Sequence, residues 1–252
     1  MSGRNILSVS GLSRSFGGVK ALDQVSFDLE ANQVLGVIGP NGSGKTTLVN
    51  LLTGFVKPDE GRVIYQGREI TGLPPYKVAE LGVARSFQMV KPFYELSAFK
   101  NLVVPLQSPR VKRLIGGRYG DRESVAKDLL EEVGFERDAA VITQAASSLP
   151  HGYLKRLELA KCMALRPDLY VLDELFSGLS LAEVASLVPV IEKIVAEGAT
   201  LVMVEHRLRE LFRIAHKVIV LNFGRKIAEG PPREVMENPA VKSAYLGSEA
   251  ED

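Results

Sequence analysis

Apolar residues recur along this chain in two rhythms. Val34–Ile38, Leu169–Leu172, Thr200–Val204 and Val218–Leu221 are short unbroken runs, the pattern of strands buried on both faces. Between them the spacing turns helical. Thr46–Phe55 sets Leu48, Leu51, Leu52 and Phe55 on one face, and a later stretch does so with Val184, Leu187, Val188, Ile191, Ile194 and Val195. Ser180 and Glu183 form a capping box ahead of that later helix, and Gly198 lies just past its end. Strands alternating with helices predict a largely parallel α/β sheet.

Two regions depart from this plan. Ile6–Val9, Val25–Leu29 and Arg62–Tyr65 read as strands joined by short turns, which predicts an antiparallel layer beside the parallel core. The middle, about 91–162, is predominantly helical: Val125, Leu129 and Val133 are spaced at four, and Gly134 ends that helix. The basic, glycine-rich Arg110–Asp121 predicts an exposed loop. Leu157–Leu165 reads as a buried helix holding Cys162 as a small core hydrophobe.

Composition narrows the function classes. Cys162 is the single cysteine, which excludes an internal disulfide framework and a multi-cysteine zinc site. A formal net charge of +1 gives no electrostatic reason to expect nucleic acid or an anionic membrane surface as partner. With 252 residues, 46% hydrophobic and 24% charged, the chain has the make-up of one large or two small soluble domains. The opening MSGRNILSVS lacks the apolar core of a signal peptide. No apolar run approaches the roughly 18 residues that span a bilayer. Any membrane role is therefore expected to run through a partner, from the cytoplasmic side.

Gly39-Pro40-Asn41-Gly42-Ser43-Gly44-Lys45-Thr46 follows a predicted strand and opens a predicted helix, the context a P-loop requires. Glycines let the backbone wrap around phosphate and present N–H groups, and the helix N-terminus adds its dipole. Lys45 is expected to reach the β- and γ-phosphates, and the Thr46 hydroxyl to ligate Mg²⁺, with Thr47 completing the nucleotide-binding run. Further on, Leu169–Glu174 is an apolar strand ending in two carboxylates. Asp173 would hold Mg²⁺ directly or through water, and Glu174 is placed to polarise an attacking water.

From Glu174 the resemblance becomes specific, for the chain resembles the nucleotide-binding domain of ABC transporters nearly end to end. The implied fold is α/β: a P-loop NTPase, RecA-like core with an N-terminal antiparallel β layer and an inserted helical subdomain. It forms a single ABC ATP-binding domain over 1–252, with core and β layer at about 1–90 and 163–252 and the helical subdomain at about 91–162. Leu12–Gly17 is similar to the family's opening strand, and Phe16 would stack on adenine. Arg85-Ser86-Phe87-Gln88 resembles the Q-loop, which makes Gln88 a catalytic and Mg²⁺-contacting residue. Val204-Glu205-His206 ends a strand as the family's switch histidine does, so His206 joins Glu174 and Gln88 in the implied catalytic set. His216 has no such context and reads as structural.

Leu149-Pro150-His151-Gly152-Tyr153 occupies the place of the family's Leu-Ser-Gly-Gly-Gln signature, which contacts ATP bound to the opposite subunit. Only Leu149 and Gly152 match it, and Pro150 has neither a hydroxyl nor an N–H to donate. Leu175 stands where the family has proline, and Ser180 where it has aspartate. The ending Asn238–Gly247 is similar to the C-termini of branched-chain amino-acid importer ATPases and their urea/amide relatives. Lipid-export ATPases of bacterial envelopes share much of the remaining pattern.

The resemblance implies ATP and Mg²⁺ as ligands, transmembrane permease subunits, and a second ATP-binding subunit, either another copy or a different chain. It implies no nucleic acid and no direct binding of the solute. Two alternatives stand beside a competent transport ATPase. No Asn-Lys-x-Asp motif supports a GTPase, and a degenerate cassette that binds ATP but hydrolyses it weakly would account for Pro150, Leu175 and Ser180. Met89–Leu102, with Phe93 and Tyr94, is the segment expected to pass motion to a membrane subunit.

Overall fold

The structure is a computed structural model that describes residues 4–114, 122–136 and 140–246. Along 4–78 run β1 (Asn5–Phe16), β2 (Val19–Glu30), β3 (Val34–Ile38), α1 (Lys45–Leu52), β4 (Glu60–Tyr65) and β5 (Arg68–Glu69), with α2 (Pro75–Leu81) crossing into the next segment. Then come β6 (Val83–Arg85), α3 (Ala98–Leu106), α4 (Pro109–Leu114), α5 (Arg122–Glu132), α6 (His151–Ala164), β7 (Leu169–Asp173) and α7 (Leu181–Ala196). The chain closes with β8 (Thr200–Val204), α8 (Leu208–Ile214), β9 (Lys217–Asn222), β10 (Arg225–Gly230), α9 (Pro232–Glu237) and α10 (Pro239–Leu246). Two compact units result, one from 1–78 with 198–252 and the other from 79–197.

In the first unit, β2-β1-β4-β5 form the expected antiparallel sheet. Its strands run longer than the apolar runs suggest, because β1 continues through Leu12 to Phe16 across register shifts. The core strand β3 is buried at every position and lies parallel to both β8 and β9, while β10 returns antiparallel along β9. Every residue of β8 is also buried, as unbroken apolar runs require. His216 is structural: its Nδ1 accepts from the Val34 N–H at 3.2 Å, and its own backbone N–H bonds back to the Val34 carbonyl. α1 stops at Leu52, earlier than its spacing suggests, and Phe55 is 49% exposed rather than on the buried face.

In the second unit, β6 and β7 pair in parallel, and α3, α5 and α6 pack on one another. Ala126, Leu130 and Val133 form the buried face around α5, one position away from the Val125 and Leu129 expected there. Arg110–Leu114 is not loop but part of α4, because Val111 is buried and Arg110 binds Asp168 at 2.9 Å. The rest of that predicted loop, 115–121, lies outside the described residues, as does Gly247. Cys162 is buried in α6, and burial pushes its thiol pKa up, keeping it an unreactive hydrophobe. The capping box is present: Glu183 N–H donates to Ser180 Oγ at 3.3 Å and Glu183 Oε2 accepts from Ser180 N–H at 2.8 Å.

Candidate nucleotide site

The phosphate loop begins where β3 ends. Val37 of β3 lies opposite Val204 of β8, so Gly39 and His206 both leave from the carboxyl ends of adjacent parallel strands. That edge is where open α/β sheets bind ligands. Gly39 has φ +152°, and a Cβ there would stand 2.1 Å from the Leu221 carbonyl oxygen, so only glycine lets the chain pass. Lys45 is 6% exposed and folds back into the loop, donating to the Gly39 carbonyl at 2.8 Å and the Pro40 carbonyl at 2.9 Å. Ser43 Oγ is buried without a hydrogen-bond partner among the described residues. Asn41, Gly42 and Thr46 are exposed, while Pro40, Gly44 and Thr47 are partly covered. His206 is exposed between β8 and α8. Phe16 closes β1 with its ring 45% exposed, and the Arg14 guanidinium sits 4.8 Å from the ring centroid.

The carboxylates belong to the second unit. Asp173 ends β7 and Glu174 follows at φ +49°, a left-handed conformation that costs a non-glycine residue about 1–3 kcal/mol. Arg85, at the end of the neighbouring β6, donates to Asp173 Oδ2 at 2.9 Å. Ser86 Oγ accepts from the Asp173 N–H at 3.0 Å. Asp173 Oδ1 is buried with no hydrogen-bond partner among the described residues. Burial raises the Asp173 pKa and Arg85 pulls it back, leaving it above the usual carboxylate value. The Gln88 side chain is exposed, while its backbone carbonyl accepts from Lys155 Nζ at 2.9 Å. In each unit, groups suited to phosphate or cation chemistry thus gather at strand carboxyl ends.

Comparison with known proteins decides what this arrangement belongs to. Residues 22–177 match the profile described as ABC transporter, well over half of the chain. The chain belongs to the ABC transporter family. Residues 225–251 also match a profile described as branched-chain amino acid ATP-binding cassette transporter. A curated relative, the high-affinity branched-chain amino acid transport ATP-binding protein BraF of Pseudomonas aeruginosa, is 39% identical, covering 97% of this chain and 98% of its own. The protein LivG of Escherichia coli, described in the same words, is 35% identical over 96% of this chain and 98% of its own. A crystal structure of a nucleotide-free ATP-binding cassette from an ABC transporter superposes with TM-score 0.82 at 30% identity, covering 96% of this chain and 99% of that one. The chain is thus an ATPase of the ATP-binding cassette type.

Within this ABC cassette the irregular signature opens α6. Pro150 stands at the N-cap without a side-chain cap hydrogen bond. Leu149 is buried, and His151 is exposed with Nε2 3.3 Å from the Ser177 carbonyl. Gly152 is packed so closely that a Cβ would meet Glu183 Oε1 at 2.1 Å. The half-buried Tyr153 ring packs on Phe135 with centroids 4.8 Å apart. Leu175, in place of the family's proline, is 1% exposed and also packs inward.

Three residues that touch these groups, each within its own unit, are not evident from the sequence. Arg85 reads there only as part of a motif, yet it is the cation paired with Asp173. Lys155 reads as a charge following the signature, yet it is 1% exposed. Tyr245, in α10, is hydrogen-bonded to the Gly39 backbone, and burial pushes its phenol pKa up to about 12. The signal that points to Lys155 is its place beside Leu157, Leu159 and Cys162 on a buried helix. Nothing in the sequence ties Tyr245 to a loop some two hundred residues earlier.

Proposed function

We propose that this chain binds MgATP and couples its hydrolysis to import of branched-chain amino acids, or a closely related small polar solute. It would do so through separate permease subunits, held at the cytoplasmic face of the membrane and acting as one ABC domain over 1–252. The observation that carries the reading is near-full-length similarity to branched-chain amino acid transport ATP-binding proteins, reinforced by the C-terminal match over 225–251. No helix among the described residues is long and apolar enough to cross a membrane, so a solute path is assigned to the partner.

The roles follow from the chemistry of each group. The N–H groups of Gly39 and Asn41–Thr47 and the Lys45 ammonium bind the phosphates, with Pro40 shaping the loop, and Phe16 offers an exposed ring for adenine. The donor set fits Mg²⁺: Asp173 Oδ1 lacks a partner, Thr46 is exposed, and no group of three or more His, Cys, Asp or Glu side chains gathers among the described residues. A cation held by so few protein groups takes its remaining ligands from phosphate and water, as Mg²⁺ does. Asp173, Thr46 and Gln88 would hold it, and when bound it neutralises charge on the phosphate oxygens. Glu174 polarises the attacking water and His206 assists at the γ-phosphate.

The partner ATPase is best read as a different chain with a complete signature. Pro150 has neither the hydroxyl nor the N–H that a signature serine offers nucleotide, and the Tyr153 ring packs on Phe135 where the family has glutamine. A neighbouring subunit would then complete the site containing Lys45 and Glu174. The test is complementation of a strain lacking this chain. Wild type should restore uptake of labelled leucine, isoleucine and valine, and Glu174→Gln should not, with turnover lowered by roughly 10²–10⁴ while ATP stays bound. Unchanged uptake in the deleted strain overturns the substrate, and normal hydrolysis in Glu174→Gln overturns the role of Glu174.

A further inference from the structure

Lys155 is the most deeply buried charge of the second unit's α6, with 1% of its surface exposed. Lysine is almost never so covered unless its ammonium is fully engaged, because desolvating the charge is costly. Its Nζ donates to the Glu174 carbonyl at 2.9 Å and to the Gln88 carbonyl at 2.9 Å. Neither acceptor is an ordinary loop carbonyl. One belongs to the residue after the β7 carboxylate, held at φ +49°, and the other to the glutamine that follows β6. The Glu174 carbonyl also accepts from the Ser177 N–H at 3.1 Å, which closes the turn leading to α7.

These bonds have a directional consequence. A non-glycine residue in the left-handed region persists only where its surroundings over-determine it, and the Glu174 carbonyl, bonded to both Lys155 and Ser177, is one group through which they do so. The ammonium sits one helical turn inside α6, so both carbonyls are referred to the same point on the signature helix. We propose that Lys155 is a positioning residue for hydrolysis: it clamps the Glu174 turn and the Gln88 backbone to the start of α6, fixing the direction in which both side chains project. The inference rests on the reading of Glu174 as the group that polarises water. Lys155 touches no reacting atom; it acts through Glu174 and Gln88. A merely structural lysine would be replaceable by an apolar side chain with loss of stability alone.

The test compares kcat with KM in the full chain. Lys155→Met keeps length and volume and removes the donors. Its kcat should fall by about tenfold or more, with the KM for ATP unchanged within about twofold. In a Glu174→Gln background the same substitution should lower residual turnover by a distinctly smaller factor than in wild type, since only the part of its effect that passes through Gln88 remains. Lys155→Gln, one bond shorter and able to reach only one carbonyl, should lie between wild type and Lys155→Met in kcat at constant KM. Should Lys155→Met not fold, Lys155→Gln decides, with at least about a threefold loss of kcat expected. Wild-type kcat in a folded Lys155→Met, or in Lys155→Gln if only that variant folds, overturns the proposal. So do equal fractional losses with and without Glu174. Normal turnover in Glu174→Gln alone strikes instead at the role of Glu174, so the two failures are distinguishable.

Discussion

Replacing Arg85 with leucine isolates the electrostatics around Asp173. The guanidinium lies 2.9 Å from Asp173 Oδ2, and the two side chains are 8% and 3% exposed. At that separation and an effective dielectric constant of about 20, the gross attraction is roughly 6 kcal/mol. Part of it is offset by the cost of burying the guanidinium, which leucine does not incur. The net loss of stability expected for Arg85→Leu is about 3–5 kcal/mol, the range for breaking a buried pair and stranding one charge. The pH dependence has a definite sign. Asp173 already titrates above the usual carboxylate range because of burial, and losing Arg85 raises it further. A carboxyl with a raised folded pKa binds protons more tightly in the native state, so the deficit relative to wild type should shrink as pH falls. Urea denaturation at neutral and acid pH measures both effects, and Arg85→Leu/Asp173→Leu should recover most of the loss by removing both charges. A loss below about 1 kcal/mol, the value of an exposed pair, would refute the argument, as would a double variant no more stable than the single one.

Lys45→Ala should weaken ATP binding by about 10–100-fold, the value of one charge-assisted contact, while the domain stays folded; calorimetric titration checks this, and an unchanged isotherm rejects the phosphate-loop assignment. Ser180→Ala should cost about 1 kcal/mol through loss of the α7 cap, read from the denaturation midpoint. Glu183 is held below its ordinary carboxylate value by the Ser180 backbone N–H first and the Ser180 hydroxyl second. Its contribution is therefore present above the unfolded value of 4.5 and lost as pH falls through the lower folded value, so wild type and Glu183→Gln should converge in stability under acid.

Local chemistry is legible in the order of the residues alone. Val34–Ile38 and Thr200–Val204 are strands over those same residues, because unbroken apolar runs of that length have few other ways to be buried. The glycine-rich loop, the Asp173-Glu174 pair and the Ser180 cap are contiguous in sequence, and each acts through neighbours within a few residues. Signals of that range survive in one dimension. Where sequence and structure differ, tertiary packing overrules a local preference. Arg110–Leu114 has the composition of a polar loop and is a helix because Arg110 finds Asp168 and Val111 finds the core. Tyr153 stands at the position of a phosphate contact and is a packing residue against Phe135. The partners of Arg85, Lys155 and Tyr245 lie between 19 and 206 positions away, and nothing in composition or spacing encodes them. The sequence by itself determined which chemical groups this protein carries and on which elements. Only the tertiary structure decided which charges are buried, and therefore which must be paired, because desolvation is a property of the folded surroundings and not of the residue.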